Sequence, residues 1–408
     1  MKPPAASPSR RALSLTAYLT YARGGAASAA PPEPLRRPPG PLVWAHADSA
    51  RRGRALASLC ARLRLQRPEV TVVQSGEIPP QPEATQVALP REQLTDCETF
   101  VTQVKPDVLL WASQSLRPAL LHAAAGQGCT IIGLDAADAA WPTAAPRWLP
   151  DPASGALSLF SHVFTQGNAA SRRLRRMGVT GPILHDAAPL LDTAPPLDCP
   201  DRLHEELAAT LTGRPVWLAA HLRAEEIGDV LAAHRHAVRL AHRLLLIAVP
   251  ASPRDEALIS RAVRASQMRV CDWENGDLPD EYTQILLAAS PDELGLWYRL
   301  APLAFLGGSL APGYGGQDPF EAASLGAAIL YGPNVGKYLD AYSLLVEAGA
   351  ARIVRDADSL GTAVSHLVAP DQAASMAHAG WDVISSRAAL VDEVLALAGE
   401  ALDARRSA

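Results

Sequence analysis

A chain of 408 residues exceeds one ordinary domain, and two domains of about 150–200 residues are expected. Hydrophobic residues make up 48%, enough for sizeable cores, and a net charge of −5 gives no polyanion-binding signature, so nucleic acid is excluded as an expected partner. The five cysteines, Cys60, Cys97, Cys129, Cys199 and Cys271, are scattered without metal-ligand spacing and read as small hydrophobes in a reducing compartment.

Residues 1–40 read as a tail rich in Pro and Ala, in which only Leu13–Ala22 is apolar enough to pack. Ten residues fall far short of the roughly 20 that span a bilayer. Flanked by Arg10, Arg11 and Arg23, the run fits either a short interfacial helix on an anionic leaflet or a frayed end. Residues 24–40 read as a Pro-rich linker.

From Pro41 a βα alternation begins. Pro41–Ala47, Val70–Ser75, Thr85–Leu89, Asp107–Ala112, Thr130–Leu134 and Val163–Gln166 are short apolar runs, with helical patterns such as Arg51–Arg64 and Leu116–Ala125 between them. This predicts an N-terminal Rossmann-like domain over 41–186. Residues 187–200 carry four prolines and read as the interdomain linker. A second such domain is expected over 201–371, with strands at Val216–Ala219, Leu244–Val249, Arg269–Cys271, Ile285–Ala288, Leu303–Leu306, Ala328–Tyr331 and Ala351–Val354. Residues 372–408 form a helical segment, with Gly380 marking an expected break. The fold class is α/β with two doubly wound domains, and in such sheets ligands sit at the carboxyl ends of the strands.

Residues 303–336 carry the strongest local signal. A buried strand breaks on Gly307-Gly308-Ser309, a second cluster follows at Gly313, Gly315 and Gly316, and Asp318-Pro319 opens a helix with Glu321 in its first turn. Glycines let backbone N–H groups approach a ligand, and a helix N-terminus favours anions. Asp318 suits an N-cap with Pro319 at the first helical position, and Glu321 could accept two ribose hydroxyls. An ordinary capped strand–turn–helix connection fits the same pattern.

The stretch resembles the sugar-nucleotide site of the 3-deoxy-D-manno-octulosonic acid (Kdo) transferases, in which GGS is followed by GGHNP-x-E. Asp292–Tyr298, Arg214-Pro215-Val216-Trp217 and Ala232-Ala233-His234-Arg235 are similar to further parts of that family, and the likeness runs from about residue 214 to 356. The resemblance implies a GT-B architecture, two Rossmann-like domains facing a central cleft. It implies transfer of Kdo from CMP-Kdo, or use of a related nucleotide sugar, onto the lipid A precursor lipid IVA, with no cofactor and no metal. The place would be the cytoplasmic face of the inner membrane or the cytoplasm, with peripheral membrane contact. Gly308, Ser309, Gly315, Gly316, Asp318 and Glu321 are then the expected donor-binding residues.

The departures from that family fall in the catalytic motifs. Where it has HAVSVGE, this chain reads His46-Ala47-Asp48-Ser49-Ala50-Arg51-Arg52, so Arg52 stands at the glutamate position. An arginine stays protonated and cannot act as base. ETELWPN becomes Ser113-Gln114-Ser115-Leu116-Arg117-Pro118-Ala119, with Ser113 and Ser115 at the glutamates. A basic VPRHP-like turn becomes Val249-Pro250-Ala251-Ser252-Pro253, and Gln317-Asp318 replaces His-Asn. Asp48 is the nearest carboxylate to the missing glutamate and is the candidate base, against the reading of a surface Asp balancing Arg51 and Arg52. Arg51, Arg52 and Arg54 form a cationic loop suited to acceptor phosphates, or else a solvated helix start. His221, His234, His236 and His242 lack a consistent partner set and predict no metal site, and Trp44, Trp111, Trp217 and Trp297 read as core. The alternatives are a glycosyltransferase with another donor or acceptor, and a non-catalytic relative that binds nucleotide sugar, glycolipid or a partner protein.

Overall fold

A computed structural model describes residues 10–24, 37, 40–179, 181–192 and 197–407. The chain divides into two compact units, Met1–Thr193 with Ser386–Ala408, and Ala194–Ser385.

In the first unit, β1 (Leu42–Ala47), β2 (Thr71–Gly76), β3 (Ala84–Gln86), β4 (Val108–Ala112), β5 (Thr130–Ala136), β6 (His162–Gln166) and β7 (Ile183–Ala187) form one sheet in the order β3-β2-β1-β4-β5-β6-β7. Each pairing is parallel. Its helices are α1 (Arg10–Arg23), α2 (Ala50–Gln66), α3 (Leu94–Val104), α4 (Pro118–Gly126), α5 (Ala153–Leu157) and α6 (Gly167–Met177). The apolar strands need cover on both faces. Trp44, Leu109, Trp111 and Ile131 pack on one side, Val43, Val72, Val108 and Leu110 on the other.

The second unit holds α7 (Asp201–Thr210), β8 (Val216–Leu222), α8 (Ile227–Val238), β9 (Leu245–Pro250), α9 (Pro253–Ala265), β10 (Val270–Asp272), β11 (Ile285–Leu287), α10 (Leu294–Leu300), β12 (Leu303–Leu306), α11 (Pro319–Ser324), β13 (Ala328–Tyr331), α12 (Leu339–Glu347), β14 (Ala351–Ile353) and α13 (Ala357–Leu367). Its sheet runs β10-β11-β9-β8-β12-β13-β14, again parallel throughout. Each unit is therefore doubly wound, the pair of domains from which the GT-B class is built. The strand order reverses between β1 and β4 in one sheet and between β8 and β12 in the other. Such reversals open a crevice at the strands' carboxyl ends, the usual ligand position.

Three local expectations change. The run Leu13–Ala22 is a docked helix and not a frayed end: Leu15, Tyr18 and Ala22 lie on one face and are buried against the first unit's core. Burying a Tyr or Leu side chain contributes about 1.5–3 kcal/mol, which holds the helix down. Residues 25–36 and 38–39 of the expected linker lie outside the described residues. The final helix α14 (Pro370–Ser407) continues through Gly380 without a break. One interior glycine costs only about 1 kcal/mol relative to alanine, too little to stop a 38-residue helix. Strand β7 has no apolar run, because this edge strand is only partly buried, with Ile183 58% exposed. Among the described residues no helix is long and apolar enough to cross a membrane.

Candidate functional site

Both sheet reversals carry polar side chains, and the two places differ in how those groups are paired. In the first unit, Asp48 follows β1 and meets the residues that follow β4. Its Oδ1 accepts from Arg52 Nη1 at 2.9 Å. Its Oδ2 accepts from Ser113 Oγ at 3.1 Å and from the Gln114 N–H at 2.9 Å. Burial raises the Asp48 carboxyl, but the bonds from Gln114, Arg52 and Ser113 outweigh it and leave the group below its ordinary value.

Arg51 and Arg52 do not form an open cationic loop. Both guanidinium groups reach the fully buried carboxylate of Asp135 at the end of β5, at 2.5 and 2.8 Å. Leu190 N–H donates to the same carboxylate at 3.0 Å, and so does the Gln166 amide. A buried carboxylate needs such partners, so these two arginines answer Asp135 first. Arg54 is exposed. Asp135 itself has φ +58°, an uncommon backbone for a non-glycine residue.

The second altered motif is also rebuilt. Glu92 accepts from Arg117 Nε at 2.9 Å and from the Ala119 N–H at 2.7 Å, and so caps α4 from outside the motif. Burial pushes the Glu92 carboxyl up against the opposing pull of Arg117. Ser113 is buried and Ser115 exposed. Behind them His46 stacks on Trp111 at 4.3 Å and bonds Ser75 Oγ at 3.0 Å, and burial lowers its pKa to about 4.

In the second unit the Gly-rich loop follows β12. Its backbone donors were expected to face a ligand, and the structure corrects this for Gly308 and Ser309. The buried carboxylate of Glu226 accepts from the N–H groups of Gly308 (2.7 Å), Ser309 (3.0 Å), Leu310 (2.8 Å) and Ala311 (3.2 Å). The anion-binding concavity that such N–H groups form is thus filled by the protein itself. Ser309 is fully buried, its Oγ donating to Leu306 O and accepting from Gly332 N–H at 2.8 Å. Gly315 and Gly316 have φ +84° and +81°, and a Cβ on Gly315 would meet Lys337 Cγ at 2.8 Å. Their role is to let the loop close, with Gly316 N–H bonded to Gly308 O at 2.9 Å.

Asp318 caps α11, its Oδ1 accepting from Phe320 N–H at 2.9 Å with Pro319 at the first helical position. Glu321 lies in the next half-turn, its side chain 26% exposed and 3.8 Å from His221 Nε2, too long for a hydrogen bond. His221, the last residue but one of β8, has φ +52°. Its Nε2 is buried and makes no hydrogen bond, and the same holds for the hydroxyl of buried Tyr298. Burial raises the Tyr298 pKa well above the ordinary value, with the negative charges of Glu321 and Asp318 adding to it. Unpaired buried polar atoms cost about 1–3 kcal/mol each, so two beside one partly open carboxylate mark a place that a ligand's hydroxyls can complete.

His234 belongs to the core. It accepts from Trp217 Nε1 at 3.1 Å and bonds Gln284 O at 3.0 Å, and burial holds its pKa near 4. Trp44, Trp111, Trp217 and Trp297 are likewise buried. Among the described residues no three His, Cys, Asp or Glu side chains gather to hold a metal. Sequence reasoning passed over Glu92, Asp135, Arg223 and Glu226, which find their partners far along the chain and leave no local spacing to read.

The family model described as "3-Deoxy-D-manno-octulosonic-acid transferase (kdotransferase)" matches residues 21–185. A 3-deoxy-D-manno-octulosonic acid transferase of Haemophilus influenzae is 26% identical over 253 residues, which cover 59% of this chain and 57% of that protein, less than two thirds of its length. The Bordetella pertussis protein of the same name is 28% identical over 386 residues, covering 88% of this chain and 86% of that one. Among solved structures, the C-terminal CMP-Kdo binding domain of WaaA from Acinetobacter baumannii aligns with 24% identity and a TM-score of 0.42, over 45% of this chain and 96% of that domain.

Proposed function

We propose that the chain is a Kdo transferase, moving Kdo from CMP-Kdo to a lipid A precursor at the cytoplasmic face of the inner membrane, a reading supported by its similarity to that family. One observation carries the donor half of this reading: Glu321, presented by the Asp318-capped helix α11, stands beside the partnerless His221 Nε2 and Tyr298 hydroxyl. Glu321 accepts the ribose hydroxyls, and the ligand's oxygens supply the missing partner of Tyr298. Gly315 and Gly316 shape the loop that admits the nucleotide, while Gly308 and Ser309 act through the fold of that loop.

For the chemical step, Asp48 is the base. A carboxylate has roughly four acceptor sites; three are used, and the remaining one on Oδ1 can take the proton of the acceptor hydroxyl. The acceptor oxygen bonds the Kdo anomeric carbon, the bond from that carbon to the phosphate oxygen breaks, and CMP leaves with the electron pair. Arg52 and Ser113 hold Asp48 in place and keep it ionised. With its pKa lowered, Asp48 is a weak base that stays available at acid pH. The family's usual glutamates being absent, we infer slow turnover.

Mass spectrometry of lipid IVA incubated with the protein and CMP-Kdo tests this reading. A Kdo mass increment is expected, reduced at least 100-fold in Asp48→Asn, the scale of general-base loss. No increment with CMP still bound would favour a relative that binds nucleotide sugar without this transfer.

A further inference from the structure

With the loop's N–H groups occupied by Glu226, something else must meet the phosphate of a bound nucleotide. The turn Val249–Pro253, which adjoins the end of β8 through the bond from Ala251 N–H to Leu222 O at 2.9 Å, contains no basic side chain. Arg223, one residue beyond β8, fills that place. Its guanidinium lies over the Tyr314 ring, 4.5 Å from the centroid, and Nη1 donates to Asp255 Oδ2 at 3.1 Å in the first turn of α9. Asp255 is itself fixed by Ser252 Oγ at 2.5 Å and by Ala224 N–H at 3.0 Å. Tyr314 is fixed through its hydroxyl, which donates to Glu225 at 3.0 Å.

The guanidinium is thus held on its face by an aromatic ring and on one edge by a carboxylate. Its Nε is buried and has no hydrogen-bond partner. That nitrogen would stand 3.7 Å from a Cβ added to Gly308, and so would Gln317 Nε2, so both approach the loop where it turns at φ +65°. Lys337 lies along Gly315 on the same loop. A pre-set planar fork with spare N–H groups suits bidentate recognition of a phosphate. The carboxylates of Asp255 and Glu225 stand nearby, and the bonds just described direct both toward protein donors.

We propose that Arg223, stacked on Tyr314 and steered by Asp255, binds the phosphate of the donor nucleotide and stabilises it as leaving group. This assignment rests on the nucleotide-sugar reading above and adds the residue that discriminates a nucleotide from a nucleoside.

Calorimetric titration of the full chain with CMP and with cytidine tests it. The wild type should bind CMP at least 10-fold more tightly than cytidine, and Arg223→Gln should bring that ratio near one while cytidine affinity stays the same. Arg223→Lys should keep a ratio of a few-fold, and Tyr314→Leu should lower it several-fold without removing the charge, which gives a second measurement if Arg223→Gln folds poorly. An unchanged ratio in these variants, or equal losses for both ligands, would overturn the assignment and leave the nucleotide reading standing. A wild type that binds neither ligand would remove both.

Discussion

The crevice of the first unit and that of the second lie at equivalent reversals of strand order, yet their charged groups end differently. In the first, Asp48, Arg51, Arg52 and Asp135 answer one another, with Ser113, Gln114 and Leu190 completing the set. In the second, Glu226 closes the loop from beneath, while His221 Nε2, the Tyr298 hydroxyl and Arg223 Nε stay without partners. Equivalent topology therefore does not give equivalent readiness for a ligand. The first unit presents one acceptor position on Asp48, with Gln114 Oε1 and Trp111 Nε1 also unpartnered nearby; the second presents His221 Nε2 and the Tyr298 hydroxyl beside Glu321, and Arg223 Nε at the Gly-rich loop.

Removing the hub of either crevice sharpens the contrast. Glu226→Ala should have the largest effect, since it strands five backbone N–H groups, those of Gly308 and Ser309 fully buried: a loss of about 3–5 kcal/mol in urea unfolding, with the second unit's transition moving and the first unit's holding. A shift below about 1 kcal/mol would mean that solvent replaces the carboxylate. Asp135→Asn should cost about 2–4 kcal/mol in the first unit's transition, because two arginines lose a buried counter-charge. If stability were unchanged while affinity for anionic lipid rose, Arg51 and Arg52 would be acceptor ligands after all.

A smaller effect is shared by both units. His46 and His234 are buried with pKa values of about 4, below the ordinary 6.5. Between these values the unfolded chain binds protons that the folded chain refuses, so stability is fully present above about pH 6.5 and falls as the pH drops toward 4. Going from pH 7 to pH 5 should cost about 2 kcal/mol for each histidine. His234→Gln should remove that dependence from the second unit's unfolding transition and leave the first unit's unchanged; an unaltered acid slope in the second unit would contradict the burial argument.

How far the sequence could be read follows from the range of the interactions. The Asp318 cap with Pro319 was legible because it closes within two residues, and the central strands of both sheets were legible because parallel strands buried on both faces are continuous apolar runs. Edge strand β7 lacks such a run. The burial of α1 depends on a surface that α3, α4 and α5 create together. Glu226 meets Gly308 across 82 residues, and Arg52 meets Asp135 across 83, so the two contacts that decide what each crevice offers have no local spacing at all. The glycine cluster marked the right loop, but its N–H groups serve an internal carboxylate.

The central claim is that the partly exposed carboxylate of Glu321, beside the unpartnered His221 Nε2 and Tyr298 hydroxyl, receives the nucleoside. Calorimetric titration of CMP into the wild-type chain and into Glu321→Gln tests it most directly. The account predicts binding to the wild type and at least 10-fold weaker binding to the variant, equivalent to about 1.4 kcal/mol or more, with the melting temperature of the free variant unchanged. Equal affinity for the two proteins would contradict the placement of the ribose at Glu321.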